Sequence, residues 1–464
     1  MTTALDARTG SPLAADLRLA WLLTRGSDRR EWWRIGLTAV GAALTTGIGL
    51  AVAALNSLDG YYSVSFGAGL LDSASDRRNV SLVMALLLVP VLGFLGQCAR
   101  IGAVHRDRRL AALRLAGAGA WQVRRIAALE SGPACLAGSL TATAGFVPLL
   151  LHLWARPTAL AWTGIALVVV AVPVLGAAVS ALSLRRVVAS PLGWVRRVRP
   201  VWGPGRTLRA VIVPLGVMAL FLGLSSVTGG PVRLAQGPLA LFAVVLVVGA
   251  ATVSLAGTAA RRLGGVLAAR AQSPAVLIAA ERLRDDPWAA ARTHAAVLLV
   301  TVVGAGFVGV RQVLLAILDT MHREGTLGTD MAYYTTGIDL TAAAILVALA
   351  LTVTGLAVGT VESLATRRRG LAAQVAAGVP YGVLARALLL ETALPLAPAV
   401  AVAGVGGTAI GAWYASLTTH HSDTGLPYAA LLVPVAVYAA CLLAAATSLP
   451  LLRRSVRPAE LRQT

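Results

Sequence analysis

Residues 339–361 read DLTAAAILVALALTVTGLAVGTV, and after Asp339 this stretch has no charged side chain. A helix needs about 20 mostly apolar residues to cross the hydrocarbon core of a bilayer, so the stretch predicts a membrane span. The whole chain has the same character, since 57% of its 464 residues are hydrophobic and only 13% are charged. A soluble protein of that length and composition would have too few polar side chains to cover its surface. We therefore expect an all-α integral membrane protein.

Apolar stretches of this kind recur along the chain and predict ten transmembrane helices. They are Ile35–Leu55, Asn79–Gly102, Gly132–Trp154, Leu160–Leu184, Leu208–Val227, Gly237–Ala259, Thr293–Val310, Asp339–Val361, Ala387–Trp413 and Pro427–Leu449.

The arginines predict how these helices are oriented. All 40 basic residues are arginine, against 20 acidic residues, and the net charge is +20. With the N-terminus in the cytoplasm, 34 arginines lie on the inner side and 6 on the outer side. Because positive residues favour the cytoplasmic side, we expect a multi-pass protein of the cell membrane with both termini in the cytoplasm. The longest outer loops are then Ser57–Arg78 and Ala316–Ile338.

The same composition excludes several functions. The arginines lie between apolar stretches rather than in a basic domain, so membrane lipids are expected as partners and nucleic acid is not. A phosphate-binding loop of the form G-x-x-x-x-G-K-[ST] requires a lysine, and this chain has none. If ATP drives this protein, another chain must bind and hydrolyse it. No grouping of residues predicts a catalytic, cofactor or metal site, and the three cysteines have no paired spacing.

The two halves of the chain contain an internal sequence repeat at an offset of 261 residues. Residues 108–130 align without gaps with residues 369–391, and eight of the 23 positions are identical. The most informative identities are Arg108 with Arg369, Gly117 with Gly378, Arg125 with Arg386 and Glu130 with Glu391.

The repeat predicts a 4+2+4 arrangement of spans. A first four-span unit covers residues 1–200, a two-span linker unit covers 201–272 and a second four-span unit covers 273–464. An even number of spans separates the two units, so the repeats are parallel, related by an axis along the membrane normal. Each unit carries a short cytoplasmic helix between its second and third spans. Such an amphipathic helix suits docking into a partner's groove, or lies against lipid headgroups without a partner.

The repeated segment resembles the cytoplasmic signature of FtsX-like permeases, the membrane subunits of ABC transporters. The resemblance rests on residues 108–118, RRLAALRLAGA, on residues 123–130, VRRIAALE, and on the tails that begin Leu184-Arg-Arg and Leu452-Arg-Arg. It covers residues 17–200 and 278–464 and implies that the short helix couples to an ATPase subunit that binds the ATP. Unlike many two-unit permeases of this kind, the chain has no large outer domain.

Two coupling segments in one chain suit an ATPase dimer, so we expect two ATPase copies per permease chain. Leu110 and Leu113 are expected to bury apolar surface in the partner. The residues expected to take part in ATPase coupling are Arg108, Arg109, Leu110, Leu113, Arg114, Gly117, Arg124, Arg125, Glu130, Arg368, Arg369, Leu371, Gly378, Arg386 and Glu391.

The sequence also predicts the surroundings of two further groups of residues, two glutamates and six glycines. Glu130 and Glu391 lie where a cytoplasmic helix enters the bilayer. An acid there is costly unless it is paired, so we expect an ion pair with an arginine of the segment, a contact with the partner, or a solvated position. Glycines at 304, 306 and 309 and at 404, 406 and 407 are expected to allow close helix contact.

The resulting hypothesis is a permease that exports a small hydrophobic or amphiphilic compound, a class that includes antibiotics. A non-transporting regulatory subunit that transmits force is the first alternative, and its mark would be a large outer docking domain. A secondary transporter is the second, and it would normally hold an ionisable residue near the bilayer midplane.

Overall fold

The computed structural model describes residues 29–62, 67–98, 112–113, 115–154, 156–183, 237–417 and 427–455. These residues form helices joined by turns and contain no β-strand. The helices are α1 (Arg29–Asn56), α2 (Ala74–Cys98), α3 (Ala120–Leu153), α4 (Ala159–Ser183), α5 (Gly237–Arg270), α6 (Pro274–Asp285), α7 (Pro287–Arg323), α8 (Met331–Thr366), α9 (Arg368–Ala376), α10 (Tyr381–Leu417), α11 (Leu432–Ala446) and α12 (Leu449–Ser455). A 3₁₀ turn, Tyr428–Leu431, leads into α11.

Seven helical segments of the described chain are long and apolar enough to cross a membrane, which supports a multi-pass membrane protein. They are Ile35–Asn56, Trp121–Leu153, Ala159–Ala178, Thr293–Arg323, Met331–Leu364, Tyr381–Ala415 and Tyr428–Arg453. Two further predicted spans coincide with α2 and α5, which are helical but are not among the seven. The predicted span Leu208–Val227 lies outside the described residues.

The outer loop predicted over Ala316–Ile338 is shorter than expected. Helix α7 continues to Arg323 and α8 begins at Met331, so only residues 324–330 lie between the two helices. Arg323 forms an ion pair with Asp319 one turn earlier in α7. Hydropathy marks where a chain leaves hydrocarbon, whereas a helix continues into water as long as its polar residues support each other.

The chain divides into two compact units, Met1–Arg199 and Pro200–Thr464. In the first unit α1 packs most extensively against α3, and it also contacts α2 and α4. Leu50, Ala54, Leu150 and Ile165 form a buried cluster there. In the second unit α7 packs most extensively against α10 and also contacts α8 and α11. The first and third spans of each predicted four-span unit are therefore its main packing pair.

Glycines allow α7 and α10 to approach each other closely, as the sequence predicts. A Cβ atom on Gly407 would lie 2.6 Å from the Cβ of Ala305 and 2.7 Å from the carbonyl oxygen of Val302. One turn later, a Cβ on Gly411 would lie 2.8 Å from the Cα of Gly309. Backbone atoms of the two helices thus face each other with no room for side chains.

The α1–α2 loop is organised by a single buried arginine, Arg77, which is 1% exposed. Its guanidinium group donates hydrogen bonds to four carbonyl oxygens, those of Leu71 at 2.9 Å, Asp72 at 2.8 Å, Leu58 at 3.1 Å and Gly60 at 2.5 Å. The guanidinium carbon also lies 5.5 Å from the centre of the Tyr62 ring. One side chain therefore fixes backbone from both sides of the loop.

Candidate functional site

The repeated segment has the same backbone turn in both units. Gly117 has φ +99° and Gly378 has φ +91°, a left-handed conformation that glycine adopts without steric cost. After Gly117, the amide of Ala118 donates to the carbonyl of Leu113 at 3.0 Å. After Gly378, the amide of Val379 donates to the carbonyl of Gln374 at 3.0 Å. Both are the 6→1 hydrogen bonds of a Schellman helix end.

The helix that follows each turn also begins at the equivalent position. Helix α3 starts at Ala120 and α10 starts at Tyr381, again 261 residues apart. The sequence repeat is therefore matched by a repeat of local structure: a helical turn, a left-handed glycine and a long helix.

In the second unit, α9 packs onto its own protein through Leu371. This side chain is buried with Leu364 of α8, Leu384 of α10 and Leu452 of α12, and Ile278 of α6 packs against the cluster. We call these five residues the α9 cluster. Leu371 was expected to contribute to ATPase coupling, but its side chain is not accessible to a partner. It belongs to an apolar cluster to which four other helices contribute, so this cluster attaches α9 to the rest of its unit.

A second attachment joins the start of α10 to α12. The hydroxyl of Tyr381 donates to the carbonyl oxygen of Leu449 at 2.8 Å. The guanidinium carbon of Arg453 lies 5.1 Å from the centre of the Tyr381 ring, within the range of a cation–π contact. The end of the α9–α10 turn is thus fixed to the last described helix of the chain.

A third attachment is an ion pair. Nη1 of Arg367 donates to both carboxylate oxygens of Glu391, at 2.8 and 3.1 Å. The side chains are 30% and 24% exposed, so the pair is partly shielded from water. For Glu391, the expected pairing with an arginine of this segment is therefore present. Burial lowers the pKa of the nearby Arg282 in α6, and the positive charge of Arg367 lowers it further.

The first unit exposes apolar side chains around its turn. Leu115 is 62% exposed and Trp121 is 72% exposed, on either side of Gly117. At the equivalent positions the second unit has Ala376 and Gly382. The two segments therefore share a backbone but differ in surface, because only the first presents large apolar groups to its surroundings.

The remaining predicted residues divide into four groups. Leu113, Arg124, Arg125 and Arg368 are half-buried, whereas Arg369 and Arg386 are exposed. Glu130 is buried, with 6% of its surface exposed. Arg108, Arg109, Leu110 and Arg114 lie outside the described residues.

Five residues at these segments were not among the predicted coupling residues: Leu115, Trp121, Arg282, Arg367 and Tyr381. Arg367 is marked in the sequence by its position immediately before the repeated block. The contacts of the others depend on which residues the fold brings together.

Comparisons with protein-family models, with curated proteins and with solved structures gave no match to this chain.

Proposed function

We propose that this chain is the membrane-spanning permease subunit of an ABC transporter. It couples ATP hydrolysis by a separate ATPase chain to the export of a small hydrophobic or amphiphilic compound, such as an antibiotic. The protein lies in the cell membrane, with its spans arranged 4+2+4 and both termini in the cytoplasm. The resemblance to FtsX-like permeases and the 34 to 6 distribution of arginines support this proposal.

The repeated helix end is the observation that carries the proposal. Gly117 and Gly378 close equivalent turns, and each turn leads into a long helix with an arginine and a glutamate at matching positions. Two similar segments in one chain suit a partner with two-fold symmetry, as an ATPase dimer has. Because the chain contains no lysine, the phosphate-binding loops are assigned to that partner.

Leu115 and Trp121 are the proposed docking contacts of the first segment. Exposed tryptophan and leucine next to a rigid turn can fill a pocket on the ATPase. Truncating such an anchor typically costs about 2 kcal/mol, or roughly 30-fold in Kd.

The test uses an ABC ATPase of the same cell, recognised by its phosphate-binding loop. The two proteins are co-expressed, and the permease is purified through a tag. The variant Leu115→Ser with Trp121→Ser is expected to lose most of the bound ATPase. Trp162→Ser, an exposed tryptophan at the far end of the same unit, is the matched control and should retain it.

The outcomes separate the candidate functions. If the wild-type chain co-purifies with no ATPase, the proposal is wrong and a secondary transporter becomes the better hypothesis. If the ATPase binds but no compound is moved in response to ATP, the chain is a force-transmitting regulatory subunit. Full ATPase binding by the double variant would exclude Leu115 and Trp121 as docking residues.

A further inference from the structure

Resting on the function proposed above, we propose that Glu391 is a positioning residue. It serves as the counter-ion of Arg367 and thereby holds the docking helix α9 against α10. A displacement of α9 would then be transmitted through the Glu391 carboxylate to α10, which contains the third span of the second unit.

The position of Arg367 explains why its side chain controls α9. Its backbone amide donates to Leu364 at the end of α8, and its carbonyl accepts from Leu371 in α9. Arg367 is thus the junction between the two helices. Glu391 lies ten residues into α10, about 15 Å along that helix from Tyr381. The turn after Gly378 ties the C-terminal end of α9 to α10, and the ion pair ties its N-terminal end, so α9 is held at both ends.

Partial burial distinguishes this ion pair from the surface pairs of the same unit. Arg284 and Glu281 on α6 form an ion pair at 2.7 Å, but their side chains are 53% and 54% exposed. Such exposed pairs contribute little to stability, because water and salt screen them. The Arg367–Glu391 pair is less solvated, so removing its acid leaves a less screened positive charge.

Arg282 of α6 makes the electrostatics around this ion pair asymmetric. Its charge interacts with those of both Arg367 and Glu391, whereas the ion pair itself joins Glu391 to Arg367. The lowered pKa of Arg282 is consistent with this, since burial and Arg367 both act against its charge whereas Glu391 and Asp285 favour it. Neutralising Glu391 would leave the two arginines to repel each other. Neutralising Arg367 would leave Glu391 with Arg282, and the disturbance should be smaller.

The first unit has related residues at the equivalent positions. Glu130 corresponds to Glu391 and is buried. The residue 261 positions before Arg367 is Arg106, which lies outside the described residues. The pattern of a basic residue before the turn and an acid inside the third span therefore occurs twice in the sequence.

The test measures amide hydrogen exchange of residues 371–377 in the full chain, held in lipid nanodiscs without ATPase. Glu391→Gln should raise exchange at least about 10-fold, and Arg367→Gln should raise it less. The charge swap Arg367→Glu with Glu391→Arg should restore slow exchange. Position 367 then carries the acid and position 391 the base, so the ion pair can form again. The control, Glu281→Gln with Arg284→Gln, should behave as wild type.

A second measurement uses the complex with a cognate ATPase, at an ATPase concentration that saturates each variant. Glu391→Gln should abolish the change in α10 exchange that vanadate-trapped nucleotide causes in the wild-type complex, and the charge swap should restore that change. An unaltered change in α10 exchange in the saturated Glu391→Gln complex would contradict the positioning role.

Wild-type exchange of α9 in Glu391→Gln, or no recovery in the charge swap, would overturn the positioning role. A wild-type chain that binds no ATPase would overturn the proposed function instead. The exchange of α9 in the isolated chain does not depend on the ATPase, so the two failures are distinguishable.

Discussion

Gly117 and Gly378 lie 261 residues apart and have nearly the same backbone conformation, with φ +99° and φ +91°. Each is followed by a residue whose amide closes the same 6→1 hydrogen bond at 3.0 Å. A non-glycine residue in this conformation has its Cβ too close to the neighbouring carbonyl oxygen. The two positions therefore require glycine for the same physical reason.

Gly117→Ala and Gly378→Ala should each destabilise their turn by about 1–2 kcal/mol. Open space surrounds both glycines, so the cost comes from backbone strain and not from a steric clash. Gly370→Ala is the control, because Gly370 lies in α9 with open space and no positive φ. Amide exchange of the turn residues measures the effect, and equal exchange in all three variants would contradict the requirement for glycine.

Leu371→Ala should lower the free energy of unfolding by about 2–5 kcal/mol, as expected for a leucine removed from a packed core. Leu371 belongs to the α9 cluster and is 8% exposed. Leu115→Ala should change stability by less than about 0.5 kcal/mol, because that side chain is largely exposed. Unfolding in mixed micelles compares the two variants. A stable Leu371→Ala protein would mean that α9 is not held by this cluster.

Gly407→Ala should destabilise the α7–α10 contact by about 1–3 kcal/mol, because the new methyl group would meet Ala305 and backbone atoms of α7. Gly382→Ala is the matched control on the same helix, since nothing lies within 4 Å of its Cβ position. That variant should be neutral or more stable by up to about 1 kcal/mol. Thermal unfolding in detergent gives both values, and the reverse order would contradict the close contact.

Arg77→Gln should release the α1–α2 loop, because four backbone carbonyl oxygens lose a charged donor. Hydrogen bonds to charged groups contribute about 1.5–3 kcal/mol each, so the loss should exceed that of an ordinary surface substitution. Arg78→Gln is the control, since the neighbouring Arg78 is exposed. Limited proteolysis of residues 57–78 should become faster only in Arg77→Gln. Equal rates in the two variants would show that Arg77 does not organise the loop.

The sequence located the seven helices of the described chain that are long and apolar enough to cross a membrane, but not their ends. The apolar stretch Thr293–Val310 was found because hydrocarbon excludes charge, and it lies within α7. Helix α7 continues to Arg323 because a helix ends where its backbone hydrogen bonds find other partners, not where hydropathy falls. Glycine spacing also predicted close helix contact, since small residues at helical intervals create a surface for close packing. It did not predict which helices meet, and the structure places Gly306, Gly309 and Gly407 at the α7–α10 contact.

The details of the site were less accessible from sequence. Helical spacing marks Leu371 as apolar, but it does not tell whether a partner or the protein itself buries it. Leu364 and Leu452, which bury it, are brought together only by the fold. Arg77 was counted as one of six outer charges, and its hydrogen bonds depend on the path of the α1–α2 loop. By contrast, the glycine that positions 117 and 378 share indicated a helix end from sequence alone.

The central claim is that one permease chain binds an ATPase dimer through two docking segments. Native mass measurement of the complex with a cognate ATPase tests it most directly. One copy of this 47.5 kDa chain with two ATPase copies is expected. A complex with two permease chains per ATPase dimer, or a permease that carries no ATPase at all, would contradict it.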